Sequence, residues 1–327
     1  MLASLTSIVL AVAMAMSGSP ATTASRSAKA TAARTTVIDL WPGSPPAGSG
    51  KGPSVPEHVI DKTPTSAGLL KDIATPRIKV WHPAHPDGTA VLVIGGGGYT
   101  VIAMAQESLP LAHWLLRRGV TPVVLYYRLP SDGWAPVAPF QDAQRAMRLL
   151  RQHAKAWHID PRHIGVVGFS AGGNLAGITA TRCRHDFYAP VDKADRFSAC
   201  PDFVGLIYPV TSLADDHSGT RAQLATQKNA VAAYSVQKHV DARTPPMFIV
   251  QAENDPVVNV DDSLALFRVL HQYGVPAELH LFARGKHGFG LGRPGTRSVQ
   301  WPRLFAGWMT QHGWLPPTRP APARSTP

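Results

Sequence analysis

A chain of 327 residues with 44% hydrophobic and 16% charged side chains can bury one large α/β core, and its composition excludes a disordered or fibrous polymer. The net charge of +11 favours anionic polymers or surfaces, yet the basic residues are scattered, with no Lys/Arg run and no interleaved aromatic series, so no nucleic-acid partner is expected. There is no Cys-x-x-Cys and no His-Glu-x-x-His, so neither a metal site nor another cofactor is expected; the two cysteines, Cys183 and Cys200, can pair across a short loop in an exported chain, which spacing alone leaves open.

The N-terminus has an uncharged apolar core from about Leu5 to Met16, then small residues with cleavage patterns near Ala21 or Ala30. This reads as a secretory signal within residues 1–30, giving a secreted or periplasmic chain with no stable membrane span after cleavage. The alternatives are an uncleaved anchor and an organellar transit peptide, since no Lys or Arg precedes the core while Arg26, Lys29 and Arg34 precede the first acid, Asp39. A Pro/Gly-rich entry, Trp41 to Pro56, leads into strand candidates at Ile78–Trp81, Ala90–Ile94, Thr121–Tyr127, Ile164–Phe169, Phe203–Tyr208, Met247–Gln251 and Glu278–Phe282. Between them lie amphipathic segments at 108–118, 141–157, 172–183, 221–239, 260–273 and 298–312. Strands that are nearly continuous apolar runs, alternating with helices, predict an α/β fold: one domain over residues 37–315 with a mainly parallel sheet between two helical layers. The Pro-rich tail, 316–327, is expected to be disordered.

In "VLVIGGGGY", residues 91–99, four glycines follow a strand candidate. A dinucleotide fingerprint fails because Thr100 replaces the third glycine and the next strand ends in Tyr126-Tyr127-Arg128 without an acid; a phosphate loop fails because no Gly-Lys is followed by Ser or Thr. In "GVVGFSAGGNLAG", residues 165–177, Gly168-x-Ser170-x-Gly172 lies between a strand and a helix, the context of a nucleophile elbow. A serine hydroxyl needs a base and an orienting acid, expected in the order Ser, acid, His on loops after later strands. Asp255 and His287 occupy those loops. Glu253 is the nearer rival acid, Asp261 and Asp262 the distant ones, and His271 and His280 are placed on a helix and a strand. The glycines then serve as an oxyanion hole: Gly96, Gly97 and the residue after the nucleophile, Ala171, would supply N–H donors worth about 3–4 kcal/mol each to a developing oxyanion.

The motifs "LWPGSPP", "GGGY" with Glu107, "YYRLP", "PFQDAQRAMRLLR", "GFSAGGNLA", "PDFVGLIYP", "DPVVNVDDSLAL" and "GVPAELHLFARGKHGFG" together resemble the alpha/beta-hydrolase superfamily, in particular secreted esterases related to acetyl xylan esterases and the hormone-sensitive-lipase-like group. The resemblance covers about Trp41 to Leu315. It implies the alpha/beta-hydrolase fold, a Ser170, Asp255, His287 triad and hydrolysis of acetyl or other short acyl esters, including those on plant-wall carbohydrate such as acetylated xylan. Relatives place His or Pro where Gly95 stands, and its extra freedom is expected to loosen the oxyanion loop. They often carry an Asp pair where this chain has Asn254-Asp255. Tyr99 either lines the acyl site or packs. Glu107 and Asp142 either shape the loop or pocket or, as the preferred reading, are solvated helix acids, and Asn174 is expected to anchor the nucleophile helix. The competing expectations are a serine peptidase or amidase of the same superfamily and a non-catalytic carbohydrate-binding or scaffold protein.

Overall fold

The computed structural model describes residues 34–317 except 47, 49, 61–67, 215–217 and 226–228, so the expected signal and all but the start of the expected tail lie outside the described residues. Eight strands form the main sheet: β1 (Thr35–Asp39), β2 (Arg77–Trp81), β3 (Ala90–Ile94), β4 (Thr121–Tyr126), β5 (Ile164–Phe169), β6 (Phe203–Ile207), β7 (Met247–Ala252) and β8 (Ala277–Phe282). Their spatial order is β1-β2-β4-β3-β5-β6-β7-β8. β2 is antiparallel to both β1 and β4, and every other pairing is parallel.

The apolar runs explain this arrangement. β3, β5, β6 and β7 are buried at every position, as strands covered on both faces must be. The two edges differ: β1 alternates between exposed and half-buried residues, and β8 is only partly covered along most of its length. The covering helices include α1 (Leu109–Leu116), α2 (Ala138–His153) and α3 (Ser170–Thr181). After β6 come α4 (Thr220–Leu224) and α5 (Ala230–Tyr234), then α6 (Val260–Gln272) and α7 (Trp301–Gln311). Pro110, Pro139 and Pro302 each fall in a helix's first turn, where the missing N–H costs no internal bond.

Two expectations about elements need correction. The single helix expected at 221–239 is instead α4, α5 and a 3-10 turn at Val236–His239, because Asn229 is left-handed, at φ +63°, and Ser235 is extended. A three-stranded antiparallel sheet (His58–Ile60, Leu69–Lys71, Ile102–Ala103) was not foreseen; it flanks the glycine loop through Ile102 and Ala103. No helix among the described residues is long and apolar enough to cross a membrane. β3, β5, β6, β7 and β8 are consecutive and parallel, so the loops that leave the C-terminal ends of β3, β5, β7 and β8 lie at one end of the sheet, where open parallel sheets bind ligands.

Candidate active site

Ser170 is the first residue of α3, directly after β5, and sits at φ +52°, a region that side chains other than glycine rarely occupy. The turn is tight because α3 starts against the end of β3: a Cβ on Gly172 would lie 2.5 Å from the carbonyl oxygens of Ile94 and Gly95. Strand, strained turn and helix N-terminus together lift the hydroxyl out of the sheet and aim it at the facing loops.

His287 Nε2 lies 2.9 Å from Ser170 Oγ, and His287 Nδ1 lies 2.8 Å from Asp255 Oδ2. An acceptor facing Nδ1 holds the proton there and leaves Nε2 free to accept from the serine hydroxyl. Asp255 is fixed in turn, its Oδ1 accepting the amides of Val257 at 2.9 Å and Val258 at 3.0 Å. Of the rival acids, Asp262 is engaged elsewhere, accepting the amides of Thr211 and Ser212, while His287 pairs with Asp255, and His280 pairs with Glu278 on β8. Asn254 has a task of its own: its Oδ1 accepts the amides of Gly285 and Lys286, both at 3.0 Å, tying the loop of the acid to the loop of the histidine.

The glycine loop meets the elbow directly, since a Cβ on Gly96 would lie 2.8 Å from Ser170 Cβ and 2.7 Å from Phe169 O. The expected donor set changes, however. The Gly96 amide donates to Glu107 Oε2 at 2.6 Å and is thereby already engaged. The amides of Gly97 and Gly98, both at positive φ, donate to no acceptor among the described residues. Ala171, in the first turn of α3, has the free N–H of a helix start.

Two further expectations are corrected, and one left open is decided. Glu107 is not solvated but buried, in a π-helical turn (Met104–Ser108) ahead of α1, and its Oε1 accepts from the Tyr208 hydroxyl at 3.0 Å. Burial pushes its carboxyl above the ordinary range, and the Gly96 amide, the Tyr208 hydroxyl and the charge of His287 act against that shift. Asp142 is fully buried as well, paired with Arg128 at 2.7 Å and accepting from Trp41 Nε1 at 2.9 Å. Tyr99 packs and does not line an open surface: it is fully buried at φ +58°, its hydroxyl donating to Asn174 Oδ1 at 3.0 Å. Asn174 passes the constraint on, donating to the carbonyls of Val210 and Tyr234, so it does anchor α3. Gly95 is tied down through its carbonyl, which accepts from the Tyr127 hydroxyl at 2.9 Å. Tyr208 escaped the sequence reading; its one signal is a tyrosine followed by Pro209 at the end of a buried strand. Among the described residues no group of three His, Cys, Asp or Glu is placed to share a metal ion.

The sheet order, with its antiparallel second strand, and the elbow between β5 and α3 define an α/β-hydrolase fold. More particularly, the BD-FAE family model matches residues 78–270, more than half of the chain, and the protein belongs to that family. The chain is 32% identical to the acetyl ester-xyloside bifunctional hydrolase of Caldicellulosiruptor lactoaceticus, with a TM-score of 0.73 over 88% of this chain and 99% of that one. It is 29% identical to an acetylxylan esterase of Xylanibacter ruminicola, over 68% of this chain and 45% of the relative, and thus spans less than half of that protein's length. An ethyl acetate hydrolase of Pseudomonas putida is also 29% identical, over 67% of this chain and 73% of the relative.

Proposed function

We propose that the protein is an exported serine esterase that hydrolyses short acyl esters, acetyl esters foremost, on alcohols that include carbohydrate such as acetylated xylan, and that one catalytic domain, residues 37–315, carries the activity. The observation that supports this best is the hydrogen-bonded line from Ser170 through His287 to Asp255. Ser170 attacks the ester carbonyl as His287 takes its proton, and Asp255 holds the imidazole and the charge it acquires. The amides of Ala171, Gly97 and Gly98 face the tetrahedral oxyanion. His287 returns the proton to the leaving alcohol, and water then repeats the sequence on the acyl-enzyme. The acetyl preference rests on the acetyl and ethyl acetate hydrolases that the chain resembles. Export rests on the apolar N-terminal core and on the Cys183–Cys200 disulfide, a bond suited to an oxidising compartment.

Wild type and Ser170→Ala are compared on aryl esters of increasing acyl length and on acetylated xylan. The expected result is the highest kcat/KM for acetyl in the wild type and a loss of at least about a thousandfold in the variant. Turnover close to wild type in Ser170→Ala would refute the assignment.

A further inference from the structure

We propose that Glu107 and Tyr208 are positioning residues, a buried strut that holds the glycine loop and the histidine loop in one fixed relation; the proposal rests on the triad reading above. A continuous set of hydrogen bonds carries it. The Gly96 amide donates to Glu107 Oε2 at 2.6 Å, and the Tyr208 hydroxyl donates to Glu107 Oε1 at 3.0 Å. The same hydroxyl accepts the Gly290 amide at 3.1 Å, three residues beyond His287. Gly290 is secured from its other side, its carbonyl accepting from Trp301 Nε1 at 2.9 Å at the start of α7. The Tyr208 ring also stands edge-on to the His287 imidazole, with centroids 5.0 Å apart.

Simple core filling does not account for these side chains. Glu107 is buried and forms no ion pair with a basic side chain among the described residues, which makes a carboxylate a costly occupant of a space that an apolar group could fill. What a carboxylate adds is two acceptors at a fixed angle, one for each loop. By drawing the Gly96 amide inward, Glu107 orients the chain so that the next amides, Gly97 and Gly98, are left for the oxyanion. Tyr208 itself is held at φ +39°, a strained backbone for a tyrosine, at the point where its hydroxyl reaches both loops.

Loosening the strut leaves the donors in place but misaims them, so turnover falls more than binding weakens. Tyr208→Phe removes one oxygen and preserves the ring; Glu107→Gln preserves volume but offers an acceptor to only one loop. On an acetyl ester, kcat is expected to drop about tenfold in Tyr208→Phe and further in Glu107→Gln, with KM within about twofold of wild type. The double variant is expected to be no slower than Glu107→Gln, because both changes cut the same chain of bonds. A folded Tyr208→Phe with kcat within about twofold of wild type, a rise in KM alone, or additive losses in the double variant would overturn the proposal. Should Glu107→Gln not fold, Tyr208→Phe decides alone. Ser170→Ala, assayed alongside, separates the two readings: an inert Ser170→Ala with an unaffected Tyr208→Phe removes the strut only, whereas an active Ser170→Ala removes the triad reading and the strut with it.

Discussion

At the scale of single residues, the glycines around the nucleophile differ in what confines them, and that difference can be measured. A Cβ on Gly168 would meet the Gly172 carbonyl oxygen at 2.0 Å, a backbone atom that cannot step aside without unwinding the start of α3. A Cβ on Gly95 would meet first the Ser108 hydroxyl, at 2.5 Å, then Ile102 Cγ2 at 3.0 Å and the Ala103 carbonyl at 3.1 Å. Ser108 Oγ is buried and makes no hydrogen bond among the described residues, so its removal should cost little. Gly95→Ala is therefore expected to destabilise by about 1–3 kcal/mol through overpacking, and Ser108→Ala in the same chain to restore most of that loss. Gly168→Ala should have no such rescue. Thermal melts of the three variants check this, and an unchanged Tm in Gly95→Ala would mean that the loop has slack after all.

At the scale of elements, seven of the eight strands were legible: the five central ones because burial on both faces forces continuous apolar runs, and β2 and β8 through alternating apolar residues. β1 was not, because "TTVID" pairs only at an edge and keeps its polar residues exposed. Ser170, Asp255 and His287, the residues of the proposed triad, which the structure brings within hydrogen-bond distance, were legible for a related reason: each closely follows a readable strand. Glu107 was misread because its bonds are non-local. It reaches back 11 residues to Gly96 through a π-helical turn that no periodicity announces, and its partner Tyr208 lies 101 residues away. The split of the expected helix at 221–239 has a local cause, left-handed Asn229, that composition does not reveal. The cysteine pairing, left open by spacing, is a disulfide that ties the end of α3 to the segment before β6. It closes a 17-residue separation, so the double change Cys183→Ala/Cys200→Ala should destabilise by about 3 kcal/mol, with a matching fall in Tm. Because α3 separates that bond from Ser170 by its full 12 residues, about 18 Å, kcat/KM at 25 °C should stay near wild type. A large loss of activity in the folded double variant would show that the disulfide also shapes the elbow.

For the molecule as a whole, carboxylates pull the pH dependence of stability in opposite directions. A side-chain hydrogen bond from Arg162 holds Asp160 down at about 2, and one from Arg145 lowers Asp192. Groups of this kind add stability above the ordinary carboxylate range and lose it as pH falls through their depressed values. Asp87 acts the other way. Desolvation raises its pKa from 3.8 to about 6, against the opposing bond from Thr89 and the charge of His163. One of its oxygens accepts the Thr89 amide at 2.9 Å, while the other, Oδ2, is buried and makes no hydrogen bond among the described residues. The folded chain thus holds this proton more tightly than the unfolded chain does. The contribution of Asp87 to stability is most favourable at low pH, declines as pH rises from about 4 to about 6, and is constant above that. Asp87→Asn keeps an acceptor for Thr89 and removes the titration. The Tm difference, variant minus wild type, should therefore climb between about pH 4 and pH 6 and then hold level to pH 8, whatever the other carboxylates add to both curves. A difference that stays flat across that window would mean that Asp87 is as well solvated in the folded chain as in the unfolded one.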